Sequence, residues 1–320
     1  MKISSPKYGL IPLIPTNTAS MPGLRLPGSE TKFCEREFGT IIIQEFNGAH
    51  YSIRYSIFNF FRKMALFFEE QTSTIKGRLV LKGEVGVKSE NARQIPIKEG
   101  QFALFREANN EIILFEKGNE FRVFDTVYSH ELLKGLLVTF PSLKDFLANP
   151  DNKNPRPFIH NFASDNMIEL VYDILKCPHD GDLRRLYFEN KVNDFLFELL
   201  LQSFKPQNSD GGVTALERSA LLKAREIIMH DLKFHLTIQE ISKQVGLNEF
   251  KLKVGFKQRF GMGIFECLLH ARMREAKTLL LETDKPIKEI ASRIGYNHVT
   301  NFITAFRNHF GQPPGHFRRQ

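Results

Sequence analysis

The sequence predicts an α+β protein: a β-rich N-terminal domain, sandwich or cupin-like, then a helical connector and an all-α C-terminal domain. Three observations carry this. From Gly39 to Tyr128 the apolar residues fall in short runs with a period near two, the spacing of strands. From Ser129 onward the period becomes helical. The charge divides the same way. Ala215–Gln320 holds 18 Lys and Arg against 10 Asp and Glu, whereas the rest of the 320 residues is balanced at 26 of each.

The first 30 residues are rich in Pro, Ser and Thr and are expected to be poorly ordered. Seven β-rich runs follow, around Ile41–Ile43, Tyr51–Ile53, Leu79–Leu81, Val85–Val87, Phe102–Phe105, Ile112–Phe115 and Phe121–Phe124. Gly77, Gly83, Gly100 and Gly118 punctuate them as turn signals, the pattern of a sandwich or barrel. This domain is placed at residues 1–160.

The connector is placed at residues 161–205. Ser129 is positioned to cap a first helix, and a loop with Pro150, Pro155 and Pro157 follows. Met167–Leu175 reads as one helix. Leu183–Phe204 reads as another, with Leu186, Val192, Phe195, Leu196, Leu199 and Leu200 on one broad stripe. That stripe exceeds what a solvent-exposed helix needs, so it packs on the β domain or pairs two copies of the chain. Lys205–Gly212 has linker composition, and residues 206–214 are taken as the linker to a C-terminal domain over 215–320.

The C-terminal domain contains an internal repeat at a spacing of about 49 residues. LTIQEISKQVGLNEFKLKVGFKQRFG is followed by KPIKEIASRIGYNHVTNFITAFRNHFG. Ile238, Ile241, Val245 and Gly246 recur as Ile287, Ile290, Ile294 and Gly295. Leu252, Phe256 and Phe260 recur as Phe302, Phe306 and Phe310. Thr237 and Glu240 form a capping box, and Pro286 suits the first turn of the matching helix. Gly246 and Gly295 end the short helices, while Asn248 and Asn297 are positioned to cap the next ones. Each copy thus reads as helix, glycine turn, helix. A basic domain beside a neutral one is the electrostatic pattern of polyanion binding.

Other functions are disfavoured. Cys34, Cys177 and Cys267 are far apart, which suggests no zinc site and no disulfide framework. His50, His130, His160 and His179 are dispersed, so no metal site or cofactor is expected. No nucleophile–base pair, phosphate loop or nucleotide fingerprint is present, and no enzymatic activity is expected. The longest apolar run is far short of a membrane span, and the expected compartment is the cytoplasm.

The stretch from Ala220 to Arg319 resembles the DNA-binding domain of the AraC/XylS family. LTIQEISKQVGL, the segment FKQRFGMGIFECLLHARMREAKTLLLETDKPIKEIASRIGY and the ending AFRNHFGQPPGHFRR carry the likeness. LKVGFKQRFG and CPHDGDLRRLYFENKVNDFLFELL resemble the siderophore-responsive, pyochelin-type branch. The resemblance implies a double helix-turn-helix whose two recognition helices enter successive major grooves of double-stranded DNA. The helix around Glu266–Leu281 would set their spacing. Phe250, Lys251, Lys253 and Val254 would face bases from the first copy, and Val299, Thr300, Ile303 and Thr304 from the second. Lys243, Lys257 and Arg307 would meet phosphates. A regulator of this kind implies RNA polymerase as a further partner, with a small-molecule effector such as a ferric siderophore and a homodimer as further expectations. Two alternatives stay open. One is a constitutive DNA-binding protein without effector. The other is a fusion of this domain to a DNA-repair methyltransferase, whose zinc-bound cysteine cluster three isolated cysteines do not supply. Gly255, inside the first recognition helix, departs from good helix sequence and is expected to permit close approach of another helix.

Overall fold

The structure, a computed structural model, describes residues 2–16, 25–69, 75–88, 94–106, 110–116, 118–148, 159–204, 215–234, 236–260 and 262–317. The chain forms two compact units, one reaching to Pro206 and the other beginning at Gln207. The proline loop around Pro150–Pro157 and the linker at Lys205–Gly212 lie outside the described residues.

The first unit is built on strands β1 (Lys2–Ser5), β2 (Gly9–Leu10), β3 (Ile14–Pro15), β4 (Glu30–Arg36), β5 (Gly39–Asn47), β6 (Tyr51–Phe60) and β7 (Met64–Glu69). They continue as β8 (Ile75–Lys82), β9 (Glu84–Lys88), β10 (Ile95–Lys98), β11 (Gln101–Arg106), β12 (Asn110–Phe115), β13 (Gly118–Tyr128) and β14 (Ile159–Phe162). Four helices complete the unit: α1 (His130–Lys134), α2 (Pro141–Ala148), α3 (Asp165–Leu175) and α4 (Gly181–Phe204). One antiparallel sheet has six strands in the order β10-β9-β12-β7-β1-β2, and the other eight in the order β14-β11-β8-β13-β6-β5-β4-β3. The longest ladder pairs β13 with β6 from Gly118↔Phe60 to Tyr128↔Tyr51.

The alternation seen in the sequence separates the two faces of each strand. Phe58, Phe60, Phe115, Phe121 and Val80 fill the space between the sheets together with Ile41, Leu66 and Val85. Tyr128, Phe124 and Phe46 face the opposite way and receive α4. Phe124 meets Phe195 edge-on at 5.8 Å, Phe46 meets Phe188 at 4.8 Å, and the Tyr128 hydroxyl donates to the Val192 carbonyl at 3.5 Å. Val192, Phe195, Leu196, Leu199 and Leu200 are all buried. The broad stripe of α4 is therefore used within the chain.

Three expectations require correction. Of the first 30 residues, 2–16 and 25–30 are described and structured: β1 pairs with β7, and Ile3, Ile11 and Leu26 are buried, so short apolar anchors outweigh the Pro, Ser and Thr content there. Gly77 is not a turn but lies mid-strand in β8, where a Cβ would sit 2.4 Å from Leu199 Cδ1; it lets α4 lie close on the sheet. Leu186 is exposed, not part of the buried stripe, because α4 turns it away from the sheet.

The interior between the sheets also holds charge. Lys76 and Arg78 share the Val80 face of β8 and are almost fully buried. Lys76 Nζ lies 2.9 Å from Glu111 Oε2, and Arg78 forms two 2.8 Å hydrogen bonds to Asp125. Such charges are tolerated only when fully paired.

The second unit is helical: α5 (Ala215–His230), α6 (Ile238–Val245), α7 (Glu249–Phe260), α8 (Ile264–Glu282), α9 (Ile287–Arg293), α10 (Val299–Phe310) and α11 (Pro314–Phe317). It has two small cores. One joins Leu221, Ala224 and Ile228 of α5 to Ile241, Leu252 and Phe256. The other joins Ile290, Ile294, Phe302, Phe306 and Phe317. The start of α8 (Ile264, Cys267, Leu268) belongs to the first core, and its later turns (Met273, Ala276, Leu279, Leu280) to the second.

Candidate nucleic-acid interface

Local sequence fixes each helix-turn-helix. Thr237 Oγ1 accepts the Glu240 amide while the Glu240 carboxylate accepts the Thr237 amide at 2.7 Å, the reciprocal pattern of a capping box. Those hydrogen bonds from Thr237 hold the exposed Glu240 carboxyl below its ordinary value. Gly246 ends α6 at φ 73°, a conformation that disfavours other residues. Asn248 Oδ1 then accepts the Lys251 amide at 2.8 Å and starts α7. In the second copy Gly295 again has positive φ, but Asn297 does not cap α10. The N-cap is His298, and it makes no side-chain hydrogen bond. The second copy carries one extra residue between glycine and helix, which moves Asn297 out of the capping position.

Gly255 sits where α7 crosses α5. A Cβ there would lie 3.0 Å from Leu221 Cδ1, so glycine brings the two helices together. The exposed face of α7 carries Phe250, Lys251, Lys253, Val254 and Lys257, with Phe250 at 74% exposure. Lys251 is tied to Glu217 of α5 at 2.7 Å, and Lys253 lies 3.4 Å from Glu249 one turn back. Lys243, on α6, is exposed as well.

On α10 the residues expected at the DNA face divide. Thr300, Thr304 and Arg307 are exposed, whereas Val299 and Ile303 are half-buried against the second core. Their place on the exposed face is taken by Asn301 and Asn308, which the motif reading overlooked. The signal was present: with Phe302 and Phe306 inward, 301, 304 and 308 follow one another at helical spacing. Asn can make paired hydrogen bonds to adenine in the major groove, which a threonine cannot.

One side chain of α8 bridges the two copies. Arg272 of α8 donates from Nε to the Leu232 carbonyl at 2.9 Å and stacks on Tyr296 at 5.6 Å. Burial lowers the Arg272 pKa and raises that of Tyr296. Among the described residues no His, Cys, Asp and Glu group has a metal-binding arrangement, and no helix is long and apolar enough to cross a membrane.

Comparison with known proteins agrees with this architecture. The helix-turn-helix domain family matches residues 241–320, and the family described as the regulatory protein PchR N-terminal domain matches residues 56–215, half of the chain. The chain belongs to the AraC/XylS family of transcription regulators, with an N-terminal region of the PchR type. The Bacillus subtilis (strain 168) HTH-type transcriptional regulator YtdP is 35% identical over 94 residues, which span 29% of this chain and only 12% of that one. The Escherichia coli HTH-type transcriptional activator FapR is 25% identical over 234 residues, 70% of this chain and 85% of its own. Among solved structures, the C-terminal domain of AraT, a response regulator from Geobacillus stearothermophilus, is 30% identical and covers 34% of this chain and 88% of that one, with a TM-score of 0.30.

Proposed function

We propose that the chain is a sequence-specific activator in the cytoplasm, controlled by a small-molecule effector of the ferric-siderophore class, that places α7 and α10 in successive major grooves. The observation that carries this reading is the pair of exposed recognition faces held by one shared helix, α8, in a chain whose other half matches the PchR N-terminal family. Lys253 is the principal base reader, because a lysine reaches guanine acceptors and its tie to Glu249 is long. Lys251 joins it once released from Glu217. Phe250 and Val254 touch thymine methyl groups. Thr300, Thr304 and Asn301 read from α10, and Val299 and Ile303 contribute through shape. Lys243, Lys257 and Arg307 hold phosphates, which position the protein without reading sequence.

The effector acts by population shift: a tenfold preference for the DNA-competent state supplies about 1.4 kcal/mol. RNA polymerase is the partner that turns binding into activation; the relative FapR is named a transcriptional activator. The test is to select sites from random DNA with the purified chain, then titrate ferric and iron-free siderophores while following operator affinity. The expected result is a selected site whose affinity changes with the ferric chelate alone. Selection of no site rejects the DNA-reading assignment. A selected site with affinity and melting temperature unchanged by every chelate rejects the siderophore and favours constitutive binding.

A further inference from the structure

Between the two helix-turn-helix copies lies an open groove of about 690 Å³. One wall is the segment joining α5 to α6, with Lys233 and Phe234. The other is α9 and the turn into α10, with Lys288, Ser292 and Asn297. We propose that this groove seats the sugar-phosphate backbone that runs between the two major-groove segments, with Lys233 and Lys288 clamping it from opposite walls. The proposal rests on α7 and α10 being the groove-entering helices.

Four observations support it. The walls are held, not loosely apposed: a Cβ on Gly295 would lie 2.8 Å from the Leu232 carbonyl and 2.9 Å from Lys233 Cα, and Arg272 pins the same carbonyl. The Lys233 wall is a formed turn, because Asp231 Oδ1 accepts the amides of Lys233 and Phe234 at 2.8 and 3.0 Å. Both lysines are exposed, and neither has an ion-pair partner among the described residues; Lys233 Nζ lies 5.1 Å from the Phe234 ring centre. Glu240, the acidic residue that lines the groove, has its carboxylate occupied by Thr237, and the Asp231 carboxylate beside Lys233 is engaged by the amides of Lys233 and Phe234. The internal repeat gives the orientation. Lys288 and Ser292 occupy on α9 the places that Gln239 and Lys243 occupy on α6, so the groove opens on the helix face assigned above to phosphates. Asn297 and Val299 place the start of α10 at the same opening, where helix amides favour an anion.

The experiment uses the full chain, its selected DNA site, and the double variant Lys233→Gln with Lys288→Gln, both at exposed positions. Lys144→Gln on α2 serves as control. The plot of log affinity against log salt is expected to flatten by about two in the double variant, at about 0.9 per phosphate released. It is expected to be unchanged in the control. Specific and random DNA should weaken by the same factor. Ethylation of phosphates between the two major-groove footprints should block the wild type and cease to matter for the double variant. An unchanged salt slope and unchanged central interference, in a wild type that selects its site normally, overturn the clamp alone. A wild type that selects no site overturns both the clamp and the assignment of α7 and α10. Binding of inorganic phosphate in the groove without central ethylation interference identifies a free-anion site and also overturns the clamp.

Discussion

Arg78 of β8 crosses the space between the two sheets and grips both carboxylate oxygens of Glu111 on β12, at 2.5 and 3.2 Å. Burial by itself raises the Glu111 pKa. The Arg78 and Lys76 cations outweigh burial and bring it down to about 2. A carboxyl held lower in the folded state stabilises the fold above its unfolded value, about 4.3, and loses that contribution as the pH falls through the folded value. The N-terminal unit is therefore expected to lose thermal stability steeply between about pH 4 and pH 2. Glu111→Ala leaves two buried cations short of charge and should cost about 3–5 kcal/mol at neutral pH. It should also flatten the acid limb of the melting curve. Melting the variant and the wild type across this pH range checks it, and parallel curves would show that Glu111 carries no linkage.

Base contacts and phosphate contacts should separate by mutation. Lys253→Ala is expected to cost about 1–3 kcal/mol on the selected site and to relax preference at one base pair. Arg307→Ala should weaken every sequence alike and lower the salt slope by about one. Equal losses on specific and random DNA for Lys253→Ala would remove it from the reading face. Glu217→Gln releases Lys251 from α5, so it should strengthen binding; competition binding against a mutated site reads this directly.

The C-terminal unit should stand alone. It has its own two cores, so residues 215–320 expressed without the rest are expected to fold and to bind the full chain's selected site as a monomer. A folded fragment with no preference in the same selection would place the reading surface elsewhere.

Helix α4 makes two separable predictions. Leu199 is fully buried over Gly77, so Leu199→Ala should cost about 2–5 kcal/mol without changing molecular mass. Leu183, Leu186 and Phe197 are exposed apolar residues on the same helix, at 56%, 56% and 52%. If two chains associate through this face, Leu186→Asp lowers the mass seen by light scattering and leaves the melting temperature of the monomer intact. A mass that is monomeric before and after the substitution excludes this face as the dimer surface.

The parts legible in the sequence are those fixed by short-range pattern. Apolar runs such as Ile41–Ile43 and Phe121–Phe124 became strands because their own alternation separates two faces. Thr237, Glu240 and Gly246 specify a helix with both ends marked. What escaped depended on partners distant in sequence. Gly77 resembles a turn residue until Leu199 is laid over it. No local pattern marks Lys76 and Arg78 as interior residues, because their partners Glu111 and Asp125 lie on other strands. The second core draws Val299 and Ile303 half inward and leaves Asn301 on the outer face. Asn297 failed as a cap through a single inserted residue, below the resolution of a pattern match.

Because α8 contributes its first turns to one core and its later turns to the other, the two reading heads cannot turn independently. A helix of 19 residues spans about 28 Å and advances 100° per residue. It behaves as a ruler with a fixed phase. One added residue would swing the second head about a quarter-turn away from the duplex face the first head occupies. On the proposed reading this rigidity filters the genome: two half-sites displaced by half a helical turn present themselves on opposite faces of the duplex, and the two heads engage only one of them at a time.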